Sequence, residues 1–345
     1  MAKHNRNRSQ CSSALEYIHL VMTRLHPCCD PTAPSTIWEG IPTGKIIEID
    51  GIEMYISQPR MRDGESESEL STLPESFKEQ EPKRVILFLT EGHGIYLPNA
   101  QLLADSFASH LDCDVIMPDQ FAGQARLDKN HRPFFPPGKE PVPEIVPWTE
   151  DKDDPNYELR GIQVPLKEKT ETSDAYPFRK PPWWKGDESA QEFEAWKHRH
   201  EPPVTDPLLA PVVKYIHDQY GQDVKIGGVG YCFGGRYVIR LMGAGFIDVG
   251  VVNHPSFFTM EEVHLVTKGK RLAIYAAEVD DILPPEKRRQ TEDVLTKTGA
   301  TWMSTVFGGT EHGFSVRGDL TVKDVRLAKE YAFKGAVSWF KNWLI

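Results

Sequence analysis

The stretch Gly228-Val229-Gly230-Tyr231-Cys232-Phe233-Gly234-Gly235 joins an apolar run, residues 224–230, directly to a helical pattern, residues 234–242. No linker separates the two. A turn this abrupt forces its corner residue, Cys232, into a strained backbone conformation and presses the flanking backbone together, which explains glycine on both sides. G-x-C-x-G-G is thus a cysteine version of the nucleophile elbow. At the start of a helix the macrodipole favours a thiolate. Taken alone, the motif also fits a buried structural cysteine beside a glycine-rich turn.

Working outward, strands and helices alternate. Residues 45–49 and 52–56 flank Asp50-Gly51 and read as a β-hairpin. Residues 84–90 are a continuous apolar run of the kind found in buried parallel strands. In 99–111, Leu102, Leu103, Phe107, Ala108 and Leu111 share one helical face. The pattern continues as strand 114–117, helix 207–220, the elbow strand and helix, strands 249–253 and 272–277, helix 284–297, strand 302–307 and a C-terminal helix 325–343. Such alternation predicts an α/β fold: a mostly parallel central sheet with helices on both faces and its active site at the carboxyl ends of the strands.

Two stretches break the pattern. Eleven of the 27 prolines fall between residues 131 and 185, together with Trp148, Trp183 and Trp184. Proline at that density blocks helix and central strand, so 124–188 reads as a loop-rich insertion, either a lid or aromatic wall for the substrate or else an ornamental surface loop or dimer contact. Residues 62–83 are rich in Ser and Glu and read as a polar surface loop. The 345 residues are therefore expected to form one domain, 1–345, carrying two insertions.

Composition narrows the function classes. The formal net charge is −10, from 40 Lys and Arg against 50 Asp and Glu. That balance gives no footprint for nucleic acid. No apolar run approaches the roughly 18–20 residues needed to cross a bilayer, so no membrane contact is expected. Lys3, Arg6, Arg8 and nearby serines faintly suggest a transit peptide, but Glu16 and the short apolar patch argue against one; a cytoplasmic protein is expected. Five cysteines (Cys11, Cys28, Cys29, Cys113, Cys232) suit neither a disulfide framework nor a zinc site. No metal or other cofactor is implied.

Two further loops follow strand ends. Glu278-Val279-Asp280-Asp281-Ile282-Leu283-Pro284 carries two carboxylates, either of which can orient a histidine or cap the next helix. Gly308-Gly309-Thr310-Glu311-His312-Gly313-Phe314 carries, of 12 histidines, the one on a glycine-flanked loop just past a core strand. The chain order Cys, Asp, His matches that of α/β-hydrolases.

These three loops resemble the dienelactone hydrolase family, especially its fungal members, and the likeness extends to Cys28-Cys29, the Asp-Gly hairpin, residues 99–105 and Ala-Val-Ser-Trp-Phe near the C-terminus. The resemblance implies the α/β-hydrolase fold with a Cys232, His312, Asp280 triad, Asp280 being chosen because the family's acid precedes a proline by four residues. It also implies that Glu91, after the third core strand, touches the resting thiol. In the family, arginines hold a substrate carboxylate. Arg317 lies one residue further along than in the bacterial pattern and no second arginine is placed, which argues against carboxylate-bearing dienelactone. His93 stands where an apolar residue is common, and either contacts substrate or faces solvent.

The chemistry expected is cleavage of a small-molecule ester or lactone through a thioester, with the backbone amides of Phe233 and Gly92 holding the oxyanion. Enlarged fungal relatives imply a hydrophobic secondary-metabolite substrate. The competing readings are a non-hydrolytic biosynthetic enzyme, a non-catalytic binding protein, and a redox sensor, for which Cys113 is the only other core cysteine.

Overall fold

The structure, a computed structural model, describes residues 38, 40–59, 83–126 and 188–344. The polar loop 62–83 apart from Lys83, most of the 124–188 insertion, Trp148, Trp183, Trp184 and Cys11, Cys28 and Cys29 lie outside the described residues.

Strands β1 (Lys45–Ile49) and β2 (Ile52–Ser57) form the expected antiparallel hairpin. Its turn needs positive φ at both central positions, supplied by Asp50 at 52° and Gly51 at 76°. Then follow β3 (Arg84–Leu89), β4 (Asp114–Pro118), β5 (Lys225–Tyr231), β6 (Val249–Asn253), β7 (Arg271–Val279) and β8 (Thr301–Glu311). They make one sheet in the order β1-β2-β4-β3-β5-β6-β7-β8, antiparallel at β1, β2 and β4 and parallel elsewhere.

Helices cover both faces because each central strand is apolar on both sides. Val85, Leu87 and Leu89 of β3 pack in one layer with α3 (Pro202–Tyr220), α4 (Phe233–Ala244) and α6 (Pro285–Thr298). Ile86 and Phe88 pack in the other with α1 (Pro98–Leu111) and α8 (Lys323–Trp343). Arg240 of α4 is ion-paired with Asp206 of α3 and with Glu262 of α5 (Met260–His264), so the first layer is tied by a buried polar network as well as by apolar contact.

Several boundaries differ from the sequence expectation. Helix α3 starts at Pro202, five residues before the expected Pro207. Pro202 and Pro203 occupy the first turn, where a missing N–H costs little, while Pro207 and Pro211 lie inside the helix and obscure its start. Strand β7 runs on to Val279 and β8 through Gly308-Gly309 to Glu311, with a register shift between Ala277 and Val279. A bulge of this kind lets a strand continue while re-aiming its end, here towards His312. Helices α2 (Glu188–Arg199), α5 and α7 (Phe314–Arg317) were not expected. No helix among the described residues is long and apolar enough to cross a membrane.

Candidate active site

Cys232 sits between β5 and α4 with φ 49° and ψ −112°. Few side chains tolerate that region, and it lifts the thiol clear of the turn. Close approach fixes its neighbours: a Cβ on Gly234 would lie 2.1 Å from the Leu89 carbonyl oxygen, and one on Gly230 2.5 Å from that of Gly234. The corner is pinned by three hydrogen bonds. Cys232 N–H donates to the Asn253 carbonyl at 3.0 Å, and the Cys232 carbonyl accepts from Gly235 N–H at 3.0 Å and Ser256 N–H at 2.9 Å.

Asp280 follows β7 and His312 follows β8, so adjacent parallel strands deliver acid and imidazole side by side. Asp280 Oδ2 lies 2.7 Å from His312 Nδ1, and Oδ1 accepts from the amides of Ile282 at 2.9 Å and Leu283 at 3.0 Å. Burial alone pushes the Asp280 carboxyl up. The hydrogen bond and charge of His312, with the Leu283 amide, outweigh it and hold the carboxyl below its usual range. Asp281 is exposed, and neither aspartate caps α6, whose N-cap is Pro284. His312 is itself buried, its N–H donating to the Val279 carbonyl at 3.1 Å.

The loop after β6 adds two residues that the sequence pattern did not single out. Ser256 Oγ donates to Cys232 Sγ at 3.2 Å and lies 3.4 Å from His312 Nε2. His254 meets His312 edge to face, with ring centroids 4.7 Å apart, and its Nε2 is 2.9 Å from Ser315 Oγ. Burial drives His254 down to about 3, so the ring is neutral. A signal for both was present: His254-Pro255-Ser256 follows strand 249–253 at the same sheet edge as the other three loops.

Glu91, expected after the third core strand, is buried at the end of β3. Its Oε2 is 2.7 Å from Arg317 Nε and its Oε1 3.0 Å from His93 Nδ1. Burial pushes this carboxyl up, but the Arg317 charge, followed by His93, brings it down to about 2. Glu91 is therefore not a solvated loop carboxylate, and His93, 2% exposed, faces the carboxylate and not solvent.

Gly92 and Phe233, the two expected oxyanion donors, belong to segments that meet beneath Trp196 of α2. Gly234 N–H donates to the Thr90 carbonyl at 2.9 Å, which joins the elbow to the β3 end. The Trp196 ring lies 5.5 Å from that of Phe233, and its Cη2 would lie 3.1 Å from a Cβ on Gly92. Trp196 also contacts Phe121 and Phe193, and its Nε1–H donates to the Gln124 carbonyl at 2.7 Å. Arg126 N–H donates to the Gly92 carbonyl at 2.7 Å, and the guanidinium stacks over Phe193. Cys113 immediately precedes β4 at the opposite, amino edge of the parallel strands, and burial pushes its thiol up to about 12.

Known proteins share both the sequence pattern and the fold. The model of the dienelactone hydrolase family matches residues 73–344. A relative from Aspergillus violaceofuscus, the hydrolase pyvD, is 30% identical over 325 residues, covering 94% of this chain and 99% of the relative. The hydrolase tropI of Talaromyces stipitatus is 32% identical over 305 residues, covering 88% and 92%. Among solved structures, a putative dienelactone hydrolase from Klebsiella pneumoniae subsp. pneumoniae has a TM-score of 0.54 over 84% of this chain and 92% of that one, at 12% identity, a likeness of fold.

Proposed function

The chain belongs to the dienelactone hydrolase family and is a carboxylic ester or lactone hydrolase; from that premise we propose that it works through a Cys232, His312, Asp280 triad and a thioester intermediate. The observation that carries this reading is the buried chain from Asp280 through His312 Nδ1 to the Ser256 hydroxyl, which touches both His312 Nε2 and Cys232 Sγ.

Cys232 Sγ attacks the carbonyl carbon while its proton passes to His312 Nε2 and the carbonyl electrons move onto oxygen. The Phe233 and Gly92 amides hold that oxyanion, where one donor is typically worth about 3 kcal/mol of transition-state stabilisation. Collapse expels the alkoxide, which takes the proton from His312; in a lactone it stays tethered. Water, deprotonated by His312, then attacks the thioester and the thiolate leaves. Asp280 holds the tautomer with Nε2 free to accept and stabilises the imidazolium.

A hydrophobic, uncharged substrate fits best, of the size of a secondary metabolite. A substrate carboxylate bound at Arg317 must displace Glu91 from a 2.7 Å ion pair, whereas a neutral ester or lactone requires no such exchange. Phe121, Phe193 and Trp196 supply apolar wall beside the elbow. Arg126 and Trp196 of α2, at the two ends of the 124–188 insertion, both lie against the Gly92 loop, which supports the reading of that stretch as an insertion of one domain. A survey of neutral lactones and aryl esters against carboxylate-bearing ones tests the proposal: neutral compounds turn over, and Cys232→Ala, with its fold intact by circular dichroism, turns over none. Preferred hydrolysis of the carboxylate-bearing compounds overturns the substrate reading.

A further inference from the structure

We propose that Ser256 is a further catalytic residue, whose hydroxyl donates to the Cys232 sulfur, stabilises the thiolate formed there and aligns it with His312. This role rests on the Cys232 reading above and adds a fourth side chain to it.

Ser256 is 0% exposed and its hydroxyl has three partners within reach: Cys232 Sγ at 3.2 Å, His312 Nε2 at 3.4 Å and the His254 carbonyl at 3.4 Å. The sulfur is the shortest of these, although sulfur has the largest radius. The loop that presents the hydroxyl is strained. His254 has φ 38° and Phe257 φ 62°, a region that side chains rarely adopt and that persists only where surrounding contacts impose it. Those contacts are present. His254 N–H donates to the Tyr275 carbonyl at 2.7 Å, and Ser256 N–H donates to the carbonyl of Cys232 itself at 2.9 Å. Pro255 leaves no room for a side chain at residue 235, where a Cβ would lie 2.7 Å from its own. The serine and the elbow are thus built as one unit.

The chemistry follows from the acceptor. A neutral thiol accepts hydrogen bonds weakly, whereas a thiolate is a charged acceptor, and hydrogen bonds to charged groups are roughly twice as strong as neutral ones. The Ser256 hydroxyl therefore favours the charged sulfur over the neutral one, a differential interaction of the kind that accelerates a reaction. When the S–H bond breaks and the N–H bond forms at His312 Nε2, Ser256 keeps its own proton. Its hydrogen bond to sulfur strengthens. The same bond weakens as the thioester forms and strengthens again as sulfur departs, so it assists both half-reactions. The titratable groups around this pair are His312 with Asp280 behind it, His254 on the same loop, and Glu91, just after β3, with Arg317 of α7.

The test is the rate of Cys232 alkylation by iodoacetamide from pH 5.5 to 9.5, read by peptide mass on the full chain, for the wild type, Ser256→Ala and Ser256→Thr. Removing one charge-assisted hydrogen bond predicts alkylation about tenfold slower at pH 6 in the alanine variant, with the ratio approaching one at the alkaline end. Turnover falls by a similar factor at nearly unchanged KM, and threonine, which keeps the hydroxyl, restores most of both. Equal profiles, or a loss uniform across pH, overturn the role of Ser256 and leave Cys232 untouched. A wild-type Cys232 that is not alkylated, or an acyl adduct that maps to Ser256, overturns the nucleophile assignment itself.

Discussion

Asp280 Oδ2 and His312 Nδ1 stand 2.7 Å apart, both side chains buried, while the other carboxylate oxygen is held by two amides of its own loop. The acid thus has a fixed orientation and a fixed charge. Asp280→Asn keeps the shape but offers Nδ1 an amide, which permits the wrong tautomer; kcat falls by roughly 10⁴-fold. Asp281→Asn, at an exposed position, changes it less than about twofold. Steady-state kinetics on any turned-over ester separates the two, and equal losses would remove Asp280 from its role.

Glu91 gives a prediction for stability. With its carboxyl brought down to about 2 from an ordinary value of 4.5, the native state binds fewer protons than the unfolded state between those limits. The stabilisation is therefore complete above pH 4.5 and is lost as pH falls towards 2. Glu91→Gln removes that part of the acid dependence and, at pH 7, breaks the buried Glu91–Arg317 ion pair, at a cost of about 3 kcal/mol. Urea unfolding of both proteins from pH 3 to 7 measures the two effects; an unchanged midpoint at pH 7 would contradict the ion pair.

His200 extends the same logic upward. Burial brings it down to about 4, with Nδ1 held 2.7 Å from the Trp196 carbonyl oxygen, so it folds neutral. The unfolded chain takes up a proton near pH 6.5 and the native chain does not. Stability is full above pH 6.5 and declines as pH falls through the window to about 4. His200→Gln flattens the pH dependence of the unfolding midpoint across that window, and a slope equal to wild type counts against a neutral buried ring.

Trp196 is predicted to act on both stability and selectivity. Trp196→Ala removes packing against Phe121, Phe193 and Phe233 and costs about 3–5 kcal/mol. Trp196→Phe keeps an aromatic wall but leaves the Gln124 carbonyl without its donor, at about 1 kcal/mol. In the phenylalanine variant KM should rise more for bulky aryl esters than for an acetyl ester. A uniform change across acyl sizes would place Trp196 outside the substrate's reach.

Most of the sheet was legible because periodicity is local. The hairpin, both layers of helices and the three loops at the carboxyl edge follow from apolar runs and glycine turns that few other folds accommodate. Helix α2 was not legible: it carries Phe193 and Trp196 inward but borders a proline-rich stretch, and its polar residues leave a weak apolar face. The extension of β8 to Glu311 was hidden by Gly308-Gly309, which reads as a turn and is strand because a bulge against β7 absorbs it. Within the site, the three loops that carry Cys232, the Asp280-Asp281 pair and His312 were readable from position along the chain, whereas the choice of Asp280 over Asp281 came only with the family resemblance. The partners of Glu91 were not, since Arg317 lies 226 residues away and only the assembled fold brings them together. Ser256 was missed although its loop follows strand 249–253 at the same sheet edge, because that position marks the loop and not which of its residues meets the elbow.

The central claim is that Cys232 carries the acyl group. Acid quenching during turnover of a slow activated ester, followed by peptide mass mapping, tests it most directly. A mass increase equal to the acyl group is predicted on the peptide containing Cys232, absent from Cys232→Ala, which is inactive though folded. Turnover persisting in Cys232→Ala, or an adduct confined to another residue, would contradict it.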